Sequence, residues 1–209
     1  MTYAVPMPPT NTVAPQSTHE EPVQHTVDSG TKFVGLVMFL GSWTVMFAAL
    51  FFSFATFRVH ADSAWPPAAL TDVPLWMPSV STLIILLSSV TLEWARRRTL
   101  AGDLPGARQR VKLTFVLAVA FVAMQTWLWQ VMWAKGVTLN SEQFAGYFYV
   151  LTVFHAMHIL VGLGLLTYFS RLLTGGDPAG VRVPARLITL FWHFVGVVWG
   201  LLFVLLFFS

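Results

Sequence analysis

The sequence predicts an all-α integral membrane protein, a bundle of five transmembrane helices, and three observations carry that prediction. After residue 30 nearly all of the chain falls into five apolar stretches. Each is long enough to cross a hydrocarbon core of about 30 Å, which takes roughly 20 residues of helix. Hydrophobic residues make up 56% of the chain and charged residues 10%, far from the balance of a water-soluble domain. The apolar runs are continuous and do not alternate, so helices are expected and a β-barrel is not.

Each span has a recognisable edge. The first, 32–57, is bracketed by Lys32 and Arg58. The second, 76–95, follows Pro74 and stops at Arg96, Arg97 and Arg98. The third, 112–134, starts at Lys112 and ends before Lys135 and Gly136. The fourth, 145–170, stops at Arg171, and the fifth, 187–208, follows Arg186. Lys and Arg at such edges reach the headgroups and mark a boundary without breaking the span. Trp65, Trp76, Trp94, Trp133 and Tyr147 lie near the same edges, as interfacial aromatic belts do.

Charge gives the orientation. The connection after the second span carries Arg96, Arg97, Arg98, Arg108, Arg110 and Lys112, and the one after the fourth carries Arg171, Arg182 and Arg186. The other two connections hold only Arg58 and Lys135. The basic connections fall on the side of the N-terminus, so the positive-inside rule puts that end in the cytoplasm and the C-terminus on the outer, periplasmic face. The net charge of +3 mostly reports these connections, which makes nucleic acid an unlikely partner and anionic headgroups a secondary one.

Residues 1–30 are a different material. Pro6, Pro8, Pro9, Pro15 and Pro22 interrupt a polar stretch with no apolar periodicity. It is expected to be a disordered or loosely attached cytoplasmic tail, ahead of a membrane domain at 31–209. It lacks the basic start and apolar run of a secretory signal. The chain has no cysteine, which removes disulfides, thiolate metal sites and iron–sulfur clusters.

Chemistry is sought among the few ionisable residues inside the membrane, each a functional hypothesis by default. They are Glu93, His155, His158 and His193, with Gln125 and Gln130 as polar company. His155 and His158, three apart on a helix, are expected to share a face. Two neighbours on one helix cannot approach a haem iron from opposite sides. A metal site made of both plus His193 is possible in geometry, but no intramembrane carboxylate accompanies it. The plainer reading has each histidine bonding a backbone carbonyl, an adjacent helix or a headgroup. Glu93, within a turn of Arg96, Arg97 and Arg98, is either an interfacial partner of arginine, worth little, or a carboxylate that collects protons at the cytoplasmic face. Trp127, Trp129 and Trp133 read as lipid- or subunit-facing packing. Gly162, Gly164, Gly196 and Gly200 let the last two helices approach neighbours closely.

These residues bring a family into view. Phe154-His155-Ala156-Met157-His158 with Gly162 resembles the Phe-His-Gly-x-His-(x)3-Gly signature of subunit III of the haem–copper oxidases. Trp192-His193-Phe194-Val195-Gly196-Val197-Val198-Trp199 resembles its Trp-His-Phe-Val-Asp-x-Val-Trp motif. The run from Leu83 to Ala95, containing Glu93-Trp94, is similar to another of its motifs, and Trp65-Pro66-Pro67 to the loop before it. Phe39-Leu40-Gly41-Ser42 followed by Met46-Phe47 resembles the first motif. The likeness covers about residues 32–208, with the motifs in family order.

Two positions depart from the pattern. The family usually carries Glu after that serine and Asp within the last motif; here Trp43 and Gly196 stand there. An apolar ring cannot exchange a proton, which implies a more purely structural subunit. The length is that of the five-helix bacterial form.

The resemblance implies an accessory subunit of a terminal oxidase that reduces oxygen to water with electrons from cytochrome c or quinol and pumps protons. It implies no catalytic, cofactor-binding or metal-ligating residue in this chain, with haem and copper in partner subunits. It also implies contact with catalytic subunit I and other oxidase subunits, phospholipid bound between helices, and support of proton uptake. Glu93, His155, His158, His193, Arg96, Arg97, Arg98, Trp192 and Trp199 are the candidate lipid-binding, structural or proton-collecting residues. A related subunit of a nitric oxide reductase system shares the motifs. A small transporter is the alternative of another class, although the internal repeats or interrupted helices expected of one are not visible.

Overall fold

The computed structural model describes residues 21–60, 75–139 and 143–208, with 21–29 and Lys32 described by backbone alone. The helices are α1 (Glu21–His60), α2 (Trp76–Leu100), α3 (Leu104–Ala134), α4 (Gln143–Leu172) and α5 (Pro178–Phe207). All five are long and apolar enough to cross a membrane, as expected from the apolar runs. The Trp65-Pro66-Pro67 loop and residues 1–20 lie outside the described residues.

The helices outrun the membrane spans. Helix α1 starts at Glu21, inside the segment expected to be tail, so residues 21–30 are helix. The two basic connections are likewise mostly helix. Only residues 101–103 separate α2 from α3 and only 173–177 separate α4 from α5, so Arg96, Arg97, Arg98, Arg108, Arg110, Lys112, Arg182 and Arg186 sit on helical ends. Hydropathy marks where lipid ends, whereas caps mark where helix ends. Gly102, at φ +85°, turns the chain after α2. Asp103 then caps α3 by accepting from the Gly106 amide, with Pro105 in the first turn. Asp177 caps α5 through the amides of Ala179 and Gly180.

Packing follows a repeat of about 3.5 residues. The buried residues of α3 are Leu104, Ala107, Val111, Thr114, Ala118, Phe121, Gln125, Leu128 and Met132, stepping alternately by three and four. Such a seam lets side chains interdigitate between helices crossing at a shallow angle. Helix α2 packs on α3 and α5, and α4 on α3 and α5. Helix α1 is peripheral: 11% of its span is buried, against 33–44% for the others. Its buried side chains are Leu40, Phe47 and Phe54, one every seventh residue.

Candidate functional site

The seam between α2 and α5 gathers most of the candidate residues, as rungs between antiparallel helices. At the end of the seam next to the α2–α3 turn, both oxygens of Glu93 are occupied. Arg96 donates through Nε at 2.8 Å and Nη2 at 2.7 Å, and Arg97 through Nε at 2.9 Å. His193 of α5 comes within 4.0 Å of the same carboxylate. Further along, Trp192 Nε1 donates to Ser88 Oγ at 3.0 Å and Trp199 Nε1 to Thr82 Oγ1 at 3.1 Å. Both indoles are buried. An indole N–H inside a membrane bundle has no bulk water to bond, so a hydroxyl on the facing helix meets a demand that would otherwise be costly.

Glycine makes this packing possible at one point and eases it at another. A Cβ at Gly162 of α4 would lie 2.6 Å from Cζ3 of Trp192, so only hydrogen leaves room for the ring. A Cβ at Gly196 would lie 3.2 Å from Ser89 Oγ, so the position that carries Asp in the family pattern is here a close approach to α2.

His155 and His158, three apart on the packed side of α4, turn to different neighbours. The His155 ring is buried between Phe121 of α3, at 6.0 Å between centroids, and Trp199 of α5, at 5.2 Å. His158 turns to α1, where the Trp43 ring stands edge-on at 4.0 Å and Phe47 at 5.3 Å. Its Nδ1 donates to the Phe154 carbonyl at 2.6 Å. Three residues differ by about 60° around a helix axis, and the boundary between two packing neighbours of α4 passes between them. Trp43 thus fills space beside His158 at the position where the family pattern carries Glu. His193 lies elsewhere again, beside Glu93. The three histidines therefore do not come together as one ligand set. Among the described residues no group of three His, Asp or Glu stands close enough to hold a metal ion.

The remaining candidates occupy the surface. Arg97 and Arg98 are largely exposed, and Arg98 pairs with Asp103 across the α2–α3 turn. The Gly106 amide, and then the Arg98 guanidinium, hold the Asp103 carboxyl below the usual carboxylate range. Two grooves open beside basic ends. One of about 400 Å³ lies between α3 and α4, lined by Lys112, Phe115, Leu166 and Arg171. Another of about 570 Å³ lies between α1, α2 and α5, lined by Phe33, Arg96, Arg182 and Arg186.

Several residues in these contacts carry no charge and were not singled out by the sequence. Ser88 and Thr82 hold the two indoles, and Thr91 bonds Thr114 across α2 and α3 at 2.9 Å. The signal was present: hydroxyls recur seven apart at Ser81, Thr82, Ser88 and Ser89 in an apolar span. Of the three tryptophans read as outward packing, Trp127 and Trp133 are exposed. Trp129 instead donates inward to Thr152 at 3.2 Å.

Comparison with known proteins bears on the whole of this arrangement. The family model for Cytochrome c oxidase subunit III matches residues 10–209. A cytochrome c oxidase subunit 3 of Thermostichus vulcanus is 31% identical over 180 residues, covering 84% of this chain and 86% of that protein. A probable cytochrome c oxidase subunit 3 of Mycobacterium leprae is 30% identical over 176 residues, with the same coverage. A cytochrome c oxidase subunit 3 of Corynebacterium diphtheriae is 31% identical over 179 residues, again with 84% and 86% covered. The chain belongs to the cytochrome c oxidase subunit III family, and so to the subunits of multi-subunit oxidase complexes.

Proposed function

We propose that this chain is a non-catalytic subunit that stabilises the haem- and copper-bearing catalytic subunit I of a bacterial terminal oxidase, in the cytoplasmic membrane. The observation that carries this reading is that His155, His158 and His193 face different partners, Trp199, Trp43 and Glu93, which suits packing and suits no shared redox ligand. The relatives are named as cytochrome c oxidase subunits, which favours an oxidase over a nitric oxide reductase system or a transporter. It also favours cytochrome c over quinol as the electron donor.

The experiment is recovery of the tagged chain from its own membranes. Haem and copper should co-purify with it, then stay with the other chains when the complex is dissociated. Metal retained by this chain, and lost in His155→Ala or His158→Ala, would overturn the reading.

Two parts of the role follow from the site. The grooves beside Lys112 and Arg171, and beside Arg96, Arg182 and Arg186, combine an apolar wall with cationic ends, the chemistry of a phospholipid with its phosphate at the membrane edge. The N-terminus and these basic ends face the cytoplasm and the C-terminus faces outward. A periplasmic reporter fused after Ser209 should therefore be active, and an inactive one would reverse the orientation. Glu93, with His193 at its side, assists proton uptake at that face. In Glu93→Gln the shape is kept and the charge removed. Assembly should survive, while turnover at alkaline pH falls by less than about tenfold, the equivalent of about 1.4 kcal/mol on the barrier. A pH–rate profile that overlays the parent leaves Glu93 as an anchor for Arg96 and Arg97 alone.

A further inference from the structure

Among the described residues three buried side chains, Gln125, His155 and Thr189, make no hydrogen bond at all, and the first two lie on helices packed together. Both ring nitrogens of His155 and both amide atoms of Gln125 are buried without a hydrogen bond, and the residues themselves are 1% and 3% exposed. Native interiors rarely leave such groups unmet, and those of membrane bundles have no bulk water to fall back on.

The helix register brings the two together. Val111 of α3 and Leu166 of α4 line one groove. Two heptads further along α3, a repeat that returns to the same face, stands Gln125. The same distance back along antiparallel α4 stands Thr152, one turn before His155. Ring and hydrogen-bond contacts agree with this register: Phe121, one turn before Gln125, touches His155, and Trp129, one turn after it, bonds Thr152. Gln125 therefore faces the Thr152–His155 turn, yet no direct bond joins it to His155. Thr152 is already engaged, donating to the Phe148 carbonyl and accepting from Trp129.

We propose that Gln125 and His155 hold a bound water molecule between α3 and α4. An imidazole and a carboxamide each offer both donors and acceptors, and a buried water typically makes about three hydrogen bonds. One water between them meets atoms on both side chains that would otherwise stay orphaned in an apolar surround. Phe121 and Trp199 close the His155 side.

The test is magic-angle-spinning NMR on the full chain, labelled with 15N-histidine and reconstituted in phospholipid bilayers. The His155 resonances are assigned as those missing from His155→Phe. They should receive magnetisation from water protons in the parent. That transfer should be lost in Gln125→Met, which keeps the length of the side chain without its polar atoms. Absence of transfer in the parent overturns the proposal, and that measurement needs no variant to fold. Transfer that persists undiminished in Gln125→Met, or a direct His155–Gln125 bond without water, overturns it equally.

Discussion

Helices α1 and α5 have similar apolar composition and opposite situations. Helix α5 is held on two sides, by the indole–hydroxyl bonds to α2 and by the ring of Trp192 seated on Gly162 of α4. Helix α1 is held mostly along one line, Leu40, Phe47 and Phe54, with Trp43 leaning on His158 and one hydrogen bond, Ser53 to Tyr147 of α4 at 3.0 Å, at a half-exposed edge. Lipid is as apolar as leucine, so exposure of α1 carries no penalty, and what fixes a helix in this solvent is shape and hydrogen bonding. Hydrophobicity brings both helices into the membrane. Helix α5 has two buried hydrogen bonds to fix it there, and α1 has one exposed one.

Three measurements break or sharpen that contrast. Trp192→Ala removes a ring enclosed on both sides and leaves a cavity that neither Gly162 nor Ser88 can fill. It should cost about 3–5 kcal/mol, read by unfolding in detergent. Phe47→Ala removes a buried ring of α1, but α1 borders lipid and can settle inward. The cost should stay below about 3 kcal/mol, the bottom of the range for a buried phenylalanine. Equal costs at the two sites would abolish the distinction between a fixed and a loosely held helix. The smallest effect concerns pH. The Asp103 carboxylate is favoured in the folded hairpin by the Gly106 amide and Arg98, so its contribution is present above the ordinary aspartate range. That contribution fades as pH falls through the lowered value. Acid should therefore loosen the α2–α3 hairpin slightly, and Asp103→Asn should flatten the dependence. A variant that titrates like the parent would show that the cap contributes nothing measurable.

Much of the fold was legible because the membrane is a demanding solvent. Five continuous apolar runs admit little besides five helices, and the motifs around His155, His158, Trp192 and Trp199 read correctly in order. Helix ends were less legible. Arginine is compatible with both helix and connection, and the decisive signals, Gly102, Asp103 and Asp177, are short-range caps inside stretches that look merely polar. Facing directions were least legible. The sequence places His155 and His158 on one side of α4, but which neighbour each meets depends on where α1, α3 and α5 dock. Trp129 turned inward for a similar reason: its partner Thr152 lies on another helix, and no local pattern announces it.

The hydroxyls of α2 have a consequence for the order in which the protein is built. Thr82 and Ser88 leave the ribosome well before Trp199 and Trp192 exist. During that interval neither needs a partner: Thr82 donates to the Pro78 carbonyl at 2.8 Å and Ser88 to the Ile85 carbonyl at 2.7 Å, within their own helix. Each keeps lone pairs open and no unmet donor. Helix α2 can therefore enter the bilayer early at little cost and wait. Helix α5 brings the two N–H groups that complete the seam, so closure of this seam waits on the synthesis of α5.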